Sequence, residues 1–163
     1  MNKELMTLVE PLLSKLFSFS MALFANEKLS YQTVIDAYTV YVMKEKRFLL
    51  KQLNQELSKK EKSSLRNFLK KELFKEIYDL SLKRLSHSNS NFGKECSAEY
   101  ASFYSLSTFK RAVIYLKLHE KLTLEQIQEV FGVQRFEVIE NFYNGREEIS
   151  KHGHSKLSEV SFQ

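Results

Sequence analysis

The sequence is poor in the residues that make tight turns. It holds four glycines and one proline among 163 residues, which favours long helices and few tight turns. Hydrophobic residues make up 43% of the chain, so its composition excludes a disordered polymer and an integral membrane protein. Tryptophan is absent, yet thirteen phenylalanines and eight tyrosines are enough to fill a small helical core. These features predict an all-α protein.

Cysteine and long apolar runs are scarce as well. The single Cys96 excludes an internal disulfide and fits a reducing compartment, and its polar surroundings predict an inert, exposed thiol. No apolar run approaches the roughly 20 residues that a membrane-spanning helix needs. The N-terminus carries Glu4 and Glu10 and has no small-residue cleavage site, so no signal peptide is predicted. We therefore expect a cytoplasmic protein that does not contact a membrane.

Signatures of catalysis are also missing. The sequence contains no glycine-rich phosphate loop, no His-Glu-x-x-His motif and no serine elbow. Its histidines are scattered along the chain, and two exposed histidines near the C-terminus, His152 and His154, would make a poor structural metal site. We expect neither an enzyme nor a metal or other cofactor.

One stretch holds most of the positive charge. Between Lys44 and Leu85 there are thirteen basic and six acidic residues, a net of +7; because the whole chain carries +5, the remainder is −2. Basic residues at this density can neutralise several phosphates and give salt-dependent nucleic-acid binding. A solvated, lysine-rich helix face has the same composition, so charge alone leaves both interpretations open.

A polar segment from Ser86 to Ser97 divides the chain. It contains Gly93 and has no helical period, which is typical of a linker. The sequence therefore predicts an N-terminal helical domain at 1–86, a linker at 87–97, a C-terminal helical domain at 98–150 and a flexible tail at 151–163.

Apolar periodicity predicts three helices in the N-terminal domain. In the first, Pro11 either opens a second segment or kinks one long helix. Ser30 is predicted to cap the second helix, and Ser63 or Ser64 the third, which extends to about Leu85. The inner face of this third helix is predicted to hold Leu65, Phe68, Leu69, Leu73, Ile77, Leu80 and Leu82.

The C-terminal domain shows a helix, a glycine turn and a second helix. Thr123 and Gln126 have the spacing of a capping box at the start of the first helix. Gly132 suits a left-handed turn residue, and the second helix begins near Gln134, while a preceding helix at 108–118 supplies a scaffold. This pattern predicts a helix-turn-helix, whose second helix commonly enters the DNA major groove. Three helices packed for no DNA purpose are the alternative. The inward residues are predicted to be Leu124, Ile127, Val130, Val138 and Phe142.

Together the two domains resemble RNA polymerase sigma factors of the extracytoplasmic-function, sigma-70-like type. The strongest part, Leu106 to Ile149, is similar to the fourth conserved region of that family, and the N-terminal helices are similar in layout to the second region. The resemblance spans about residues 5–149 and is most specific in the C-terminal third. The residues that carry it there are Leu106, Arg111, Leu116, Leu122, Thr123, Glu125, Ile127, Gly132, Val133, Val138, Phe142, Arg146 and Ile149.

The resemblance implies a transcription initiation factor that binds core RNA polymerase and promoter DNA. Asp36, Tyr38 and Tyr41 would lie on the polymerase-binding helix, and Phe68 would stand at the family's tryptophan position. An anti-sigma or other regulatory protein is a further candidate partner. The residues expected to contact DNA are Arg66, Lys70, Lys71, Lys75, Lys83, Arg84, Lys110, Arg111, Gln134, Arg135, Asn141, Asn144 and Arg146.

Several residues depart from the family pattern. Glu137 and Glu140 stand where the recognition helix would face DNA phosphates, and Ile139 is expected to be an exposed apolar side chain. Gln128 replaces the usual alanine. These departures favour a second hypothesis, in which a degenerate sigma-derived module binds a protein partner through Glu137, Ile139 and Glu140 without reading a promoter. A third hypothesis is an ordinary helix-turn-helix regulator that dimerises through its N-terminal helices.

Overall fold

The computed structural model describes residues 3–53, 57–87 and 100–158. Those residues form helices and turns and contain no strand, which confirms the all-α class. They divide into two compact units: unit 1 comprises the described residues of 1–21 and 27–89, and unit 2 those of 22–26 and 90–163. Of the linker predicted at 87–97, all but its first residue lies outside the described ranges, and so does Cys96.

The helices of unit 1 begin with an interrupted one. A 3-10 turn at Glu10–Leu12 contains Pro11 and separates the first two helices, because proline has no backbone N–H and its ring obstructs a continuous α-helix. The helices are α1 (Lys3–Val9), α2 (Leu13–Phe24), α3 (Glu27–Lys44), α4 (Lys46–Leu53) and α5 (Lys59–His87).

Two predicted helix starts were wrong. Helix α3 begins before Ser30, whose side chain is buried inside the helix. Helix α5 begins before Ser63, because Ser58 and Glu61 form a reciprocal cap ahead of it. The Glu61 N–H donates to Ser58 Oγ at 3.3 Å, and the Ser58 N–H donates to Glu61 Oε2 at 2.8 Å. These bonds also lower the pKa of Glu61.

The core of unit 1 forms where α5 packs against α3 and against α2. Phe74 of α5 meets Phe19 of α2 edge to face, with ring centroids 4.9 Å apart, and both side chains are fully buried. The predicted inner face of α5 was wrong at Phe68 and Leu82, which are both exposed. Phe68 lies about 100° around the helix from the buried Leu69, so the two side chains point in different directions.

The N-terminal helices also correct the expectation about apolar runs. Leu5–Phe24 is a stretch of 20 residues with a hydropathy of 1.3, long and apolar enough by length and composition to span a membrane. Half of that stretch is buried inside the protein, as in the core helix of a soluble protein, and a helix of that kind meets the same criteria. Length and composition therefore do not distinguish a membrane span from a core helix here.

Unit 2 follows the predicted pattern closely at its turn. The Gln126 N–H donates to Thr123 Oγ1 at 3.1 Å and the Thr123 N–H donates to Gln126 Oε1 at 2.9 Å, which confirms the capping box. Gly132 has φ of +66°, the left-handed conformation predicted for it. The predicted inward positions Val138 and Phe142 are buried. The helices are α6 (Ala101–Tyr104), α7 (Thr108–Leu118), α8 (Leu124–Phe131) and α9 (Arg135–Ser158).

Helix α9 is longer than predicted and lies close against α7. It continues past Ser150 as far as Ser158, into the stretch where the sequence predicted a tail, and 159–163 lie outside the described residues. A Cβ added at Gly145 would lie 2.7 Å from Ile114 Cδ1, which shows how closely the two helices approach. The Lys110 ammonium of α7 joins Glu148 Oε1 of α9 at 2.5 Å.

Candidate functional site

Most of the predicted DNA contacts of unit 1 lie along α5. Lys75 and Lys83 are exposed, while Arg66, Lys70 and Lys71 are half-buried. A basic helix of this kind presents several positive charges to solvent, as phosphate binding requires. The predicted basic stripe also includes cations that are used within the protein, as the two ion pairs below show.

Arg84 and Asp36, which were expected to bind different partners, bind each other. The Arg84 guanidinium of α5 donates to Asp36 Oδ2 and to Thr33 Oγ1, both on α3. The other oxygen of Asp36 accepts from Gln32 Nε2 at 2.8 Å. Because the carboxylate has a partner at each oxygen, Asp36 is held in place by its own unit.

A second ion pair joins the same two helices at the C-terminal end of α3. The Lys44 ammonium lies 2.8 Å from Glu76 Oε2, and the Glu76 side chain is largely buried. Lys44, the first residue of the basic stretch, is thus part of the packing of α3 against α5. Glu76 is already counted among the six acids of the stretch, so this pair leaves its net charge of +7 unchanged. The Arg84–Asp36 pair does lower the charge available to a ligand, because Asp36 lies outside the stretch.

An open aromatic cleft lies between α4 and the start of α5. The rings of Phe48 and Phe68 meet edge to face with centroids 5.8 Å apart, and the two residues are 37% and 43% exposed. The cleft has a volume of about 330 Å³. It is lined by Phe48, Gln52, Leu57, Glu61, Ser64, Leu65 and Phe68. We call this site the aromatic cleft.

The aromatic cleft has one acid, Glu61, in its lining, and lysines stand next to two of its lining residues in the sequence. Lys51 and Lys62 are exposed and directly adjoin the lining residues Gln52 and Glu61 in sequence. Exposed aromatic rings beside cations suit a planar, anionic ligand, because the rings stack and the cations hold phosphate. The cleft volume is at the lower end of the range for small-ligand sites, about 300–1,000 Å³.

On α3, the structure exposes other residues than the tyrosines predicted to bind polymerase. Tyr41 is buried, and burial together with the nearby negative charges of Glu72 and Glu45 raises its pKa. The Tyr38 hydroxyl donates to Met6 Sδ at 3.8 Å. Both residues therefore pack within unit 1, and Tyr41, which was predicted to bind polymerase, is not on the surface.

The exposed apolar residues of α3 form a stripe that sequence reasoning missed. Tyr31, Ile35 and Met43 are exposed, and their spacings of four and eight residues put them on one side of the helix. The ring of Tyr31 packs on that of Phe17 with centroids 4.3 Å apart. We call Tyr31, Ile35 and Met43 the α3 stripe. In the sequence these three residues are spaced by multiples of four. They fall on a different side of the helix from the buried residues of α3.

In unit 2, most of the predicted DNA-binding cations are engaged with other residues. Arg111 is only 7% exposed; its guanidinium lies 5.6 Å from the centroid of the Tyr104 ring and donates to Thr108 Oγ1 at 3.3 Å. Arg135 Nη2 lies 2.8 Å from Glu125 Oε1. Lys110 is paired with Glu148, as described above. A buried guanidinium cannot reach a phosphate, so Arg111 serves the packing of α7.

The other predicted contacts of unit 2 are Gln134, which directly precedes α9, and Asn141, Asn144 and Arg146, which lie on α9. Gln134, Asn144 and Arg146 are exposed, and the Arg146 guanidinium lies 5.6 Å from the centroid of the Phe142 ring. Asn141 Nδ2 donates to the Glu137 backbone oxygen at 2.8 Å. Gln134, Asn144 and Arg146 therefore remain open to a ligand.

The outward side of α9 combines aromatic and acidic side chains. Phe136 is 72% exposed and Tyr143 58%, and Glu137 and Glu140 are exposed beside them. Ile139 is half-buried rather than exposed, which corrects the expectation for that residue. We call Phe136, Glu137, Glu140 and Tyr143 the α9 face. Sequence reasoning missed its two aromatic residues, although their spacing of seven residues places them on one side of a helix.

The two units differ in charge. Between Tyr100 and Lys151 there are seven basic and seven acidic residues, a net charge of zero, whereas Lys44–Leu85 carries +7. Nucleic-acid binding by charge is therefore expected of unit 1 more than of unit 2.

Within the described ranges, no three His, Cys, Asp or Glu side chains are grouped as a metal ion would need.

Comparisons with known proteins assign no family to the chain. No protein-family model matches the sequence, and no curated protein matches it significantly. Function is therefore inferred from the residues and surfaces of the two units.

Proposed function

We propose that this protein is a sigma-like transcription initiation factor that acts in the cytoplasm and binds core RNA polymerase and promoter DNA. The observation that supports this most is the exposed pair of Phe48 and Phe68 beside a basic helix. Unpaired DNA bases stack on exposed aromatic rings, and each stacked base contributes about 1–3 kcal/mol. Phe68 also stands at the position of the family's tryptophan in the resemblance described above.

The basic residues of α5 give this proposal its electrostatic part. Lys75 and Lys83 are exposed, and Lys51 and Lys62 adjoin in sequence two residues that line the aromatic cleft. Each phosphate neutralised by a cation releases condensed counterions, so affinity falls as salt rises. Single-stranded promoter DNA would therefore bind with its bases in the aromatic cleft and its phosphates along α5.

The α3 stripe supplies the proposed contact with core polymerase. Tyr31, Ile35 and Met43 expose apolar surface on one side of the helix. Apolar residues of this kind become buried at the centre of a protein interface when the partner binds. In this proposal α7, α8 and α9 form the helix-turn-helix of the fourth region, with Gln134, Asn144 and Arg146 as its exposed polar residues.

The test uses the purified full-length chain and a fluorescent single-stranded DNA. Replacing Phe68 by alanine removes one stacking platform, so affinity measured by anisotropy should fall about 5- to 150-fold, the equivalent of 1–3 kcal/mol. Leu82→Ala is the matched control, because Leu82 is an apolar residue of α5 with nearly the same exposure. Equal affinities of the Phe68 and Leu82 variants would refute base stacking at the aromatic cleft.

A second candidate function is a regulator that binds core polymerase without recognising a promoter. The observation that favours it is the engagement of unit 2 cations by Glu125 and Glu148, together with the burial of Arg111. Co-elution with core polymerase followed by a promoter-opening assay separates the two functions. Opening supports the initiation factor, and co-elution without opening of any promoter supports the regulator.

A further inference from the structure

The α9 face has a geometry that suits docking of a helix. Phe136, Glu140 and Tyr143 follow at spacings of four and three residues, so they form one line along the helix, with Glu137 at its side. The two aromatic residues are seven positions apart, a rise of about 10 Å. Both are more than half exposed. Rigid aromatic side chains in such a position are the usual anchors of protein interfaces.

The acidic residues of this face are not ion-paired within the part of the chain that the structure describes. Among the described residues, no ion pair involves Glu137 or Glu140, whereas Glu147, further along α9, is paired with Lys151 at 2.6 Å. Arg135 is bound to Glu125. The α9 face therefore presents two aromatic rings and two carboxylates to its surroundings.

These charges decide between possible occupants. DNA would bring phosphates against Glu137 and Glu140, which repel them. A second copy of the chain joined through the same face would place acid against acid, because a two-fold interface brings identical surfaces together. A cationic partner meets neither penalty, since lysine and arginine pair with carboxylates and also bind the faces of aromatic rings.

We propose that the α9 face docks a basic amphipathic helix of another protein. Apolar side chains of that helix would pack on Phe136 and Tyr143, and its flanking lysines or arginines would pair with Glu137 and Glu140. This inference does not depend on the binding of promoter DNA by unit 1. It assigns unit 2 the recognition of a protein.

The first experiment uses the full-length chain and a fluorescein-labelled peptide of about 18 residues, with leucine at the apolar positions of an amphipathic helix and lysine elsewhere. The variant Phe136→Ser with Tyr143→Ser should bind this peptide about tenfold more weakly by fluorescence anisotropy. Tyr100→Ser is the matched control, because Tyr100 is an exposed aromatic residue of the same unit, and it should bind as the unchanged chain does. Circular dichroism confirms that each variant keeps its helix content.

The second experiment exchanges the charges. Glu137→Lys with Glu140→Lys should weaken binding of the leucine–lysine peptide and create binding of a leucine–glutamate peptide of the same pattern. Glu45→Lys, at an exposed acid of unit 1, should do neither. Promoter binding plays no part in either assay, so their failure leaves the proposed function of unit 1 unaffected.

Three results would overturn the inference. The first is an unchanged affinity of the Phe136 and Tyr143 double variant for the leucine–lysine peptide. The second is equal binding of both peptides by the unchanged chain. The third is a dimer in sedimentation that the double variant dissociates, which would assign the α9 face to a second copy.

Discussion

Replacing Gly132 by alanine would isolate the conformational energy of the turn between α8 and α9. Gly132 has φ of +66° and ψ of 27°, and its N–H donates to the Gln128 carbonyl at 2.8 Å, which closes the end of α8. A Cβ added there would meet no atom within 4 Å. An alanine side chain at this position would therefore not clash with other residues. Any loss of stability would come from the backbone conformation.

The expected loss follows from that conformation. A residue with a Cβ pays roughly 1–2 kcal/mol to adopt the left-handed region. Alanine also has fewer unfolded conformations than glycine, which offsets about 0.4–1 kcal/mol. We therefore expect Gly132→Ala to lower the free energy of unfolding of unit 2 by about 1 kcal/mol. Gly132→Asn should lose less, because asparagine tolerates the left-handed region better than alanine does.

Urea denaturation of the full-length chain, followed by circular dichroism, measures this difference as a shift of the unfolding midpoint at constant slope. Amide exchange of α8 and α9 shows whether the loss is confined to unit 2. An alanine variant as stable as the original would refute a left-handed Gly132. If the two variants lost the same stability, and more than about 1 kcal/mol, the added side chain would be in steric contact with a neighbour.

Three further predictions concern other parts of the chain. Thr123→Ala removes one bond of the capping box and should lower the free energy of unfolding by about 1 kcal/mol in the same assay, whereas Thr123→Ser should keep it. Ile35→Glu puts a charge on the α3 stripe and should abolish co-elution with core polymerase, while Leu118→Glu, at an exposed leucine of unit 2, should not. Hydrogen bonds from Ser58 lower the pKa of Glu61. The stability that the Glu61 carboxylate gives to the start of α5 is therefore fully present above the usual carboxyl pKa. It is lost as the pH falls through the lowered pKa. The protection factor of the first-turn amides of α5, which is the intrinsic exchange rate at each pH divided by the observed rate, should therefore fall in acid, and Glu61→Gln should remove that fall.

Each of these predictions has a contrary outcome. Equal losses for Thr123→Ala and Thr123→Ser would mean that the hydroxyl is not the capping group. Co-elution of Ile35→Glu with polymerase would remove the α3 stripe from the proposed interface. A protection factor that stays constant with pH in the unchanged chain would show that the Glu61 carboxylate does not hold the start of α5.

Local patterns could be predicted well from the sequence. The capping box of Thr123, the left-handed Gly132 and the bounds of α7 depend on residues within four positions of one another, and the structure confirms each of them. The same rule applied to Ser58 and Glu61 predicts the start of α5, and the error at Ser63 came from choosing a later serine. Such features follow from short-range hydrogen bonding and backbone conformation.

The orientation of helices in unit 1 could not be predicted in the same way. Both α3 and α5 have apolar residues on more than one side, so periodicity does not say which side meets the other helix. The structure buries Tyr41 and exposes Ile35, and it buries Leu69 and exposes Phe68. The candidate site changed accordingly, from Tyr38 and Tyr41, which pack within unit 1, to the α3 stripe and the aromatic cleft.

By itself, the sequence determined the all-α class, the position of the turn in unit 2 and the concentration of positive charge on one stretch. Only the tertiary structure decided which charged residues are available to a ligand. Arg84 meets Asp36, 48 positions away, and Lys110 meets Glu148, 38 positions away. A cation's partner depends on how helices pack, and packing brings together residues that no short sequence pattern relates. For that reason the basic stretch could be recognised in the sequence, whereas the acidic and aromatic α9 face became visible only once the outward side of that helix was known.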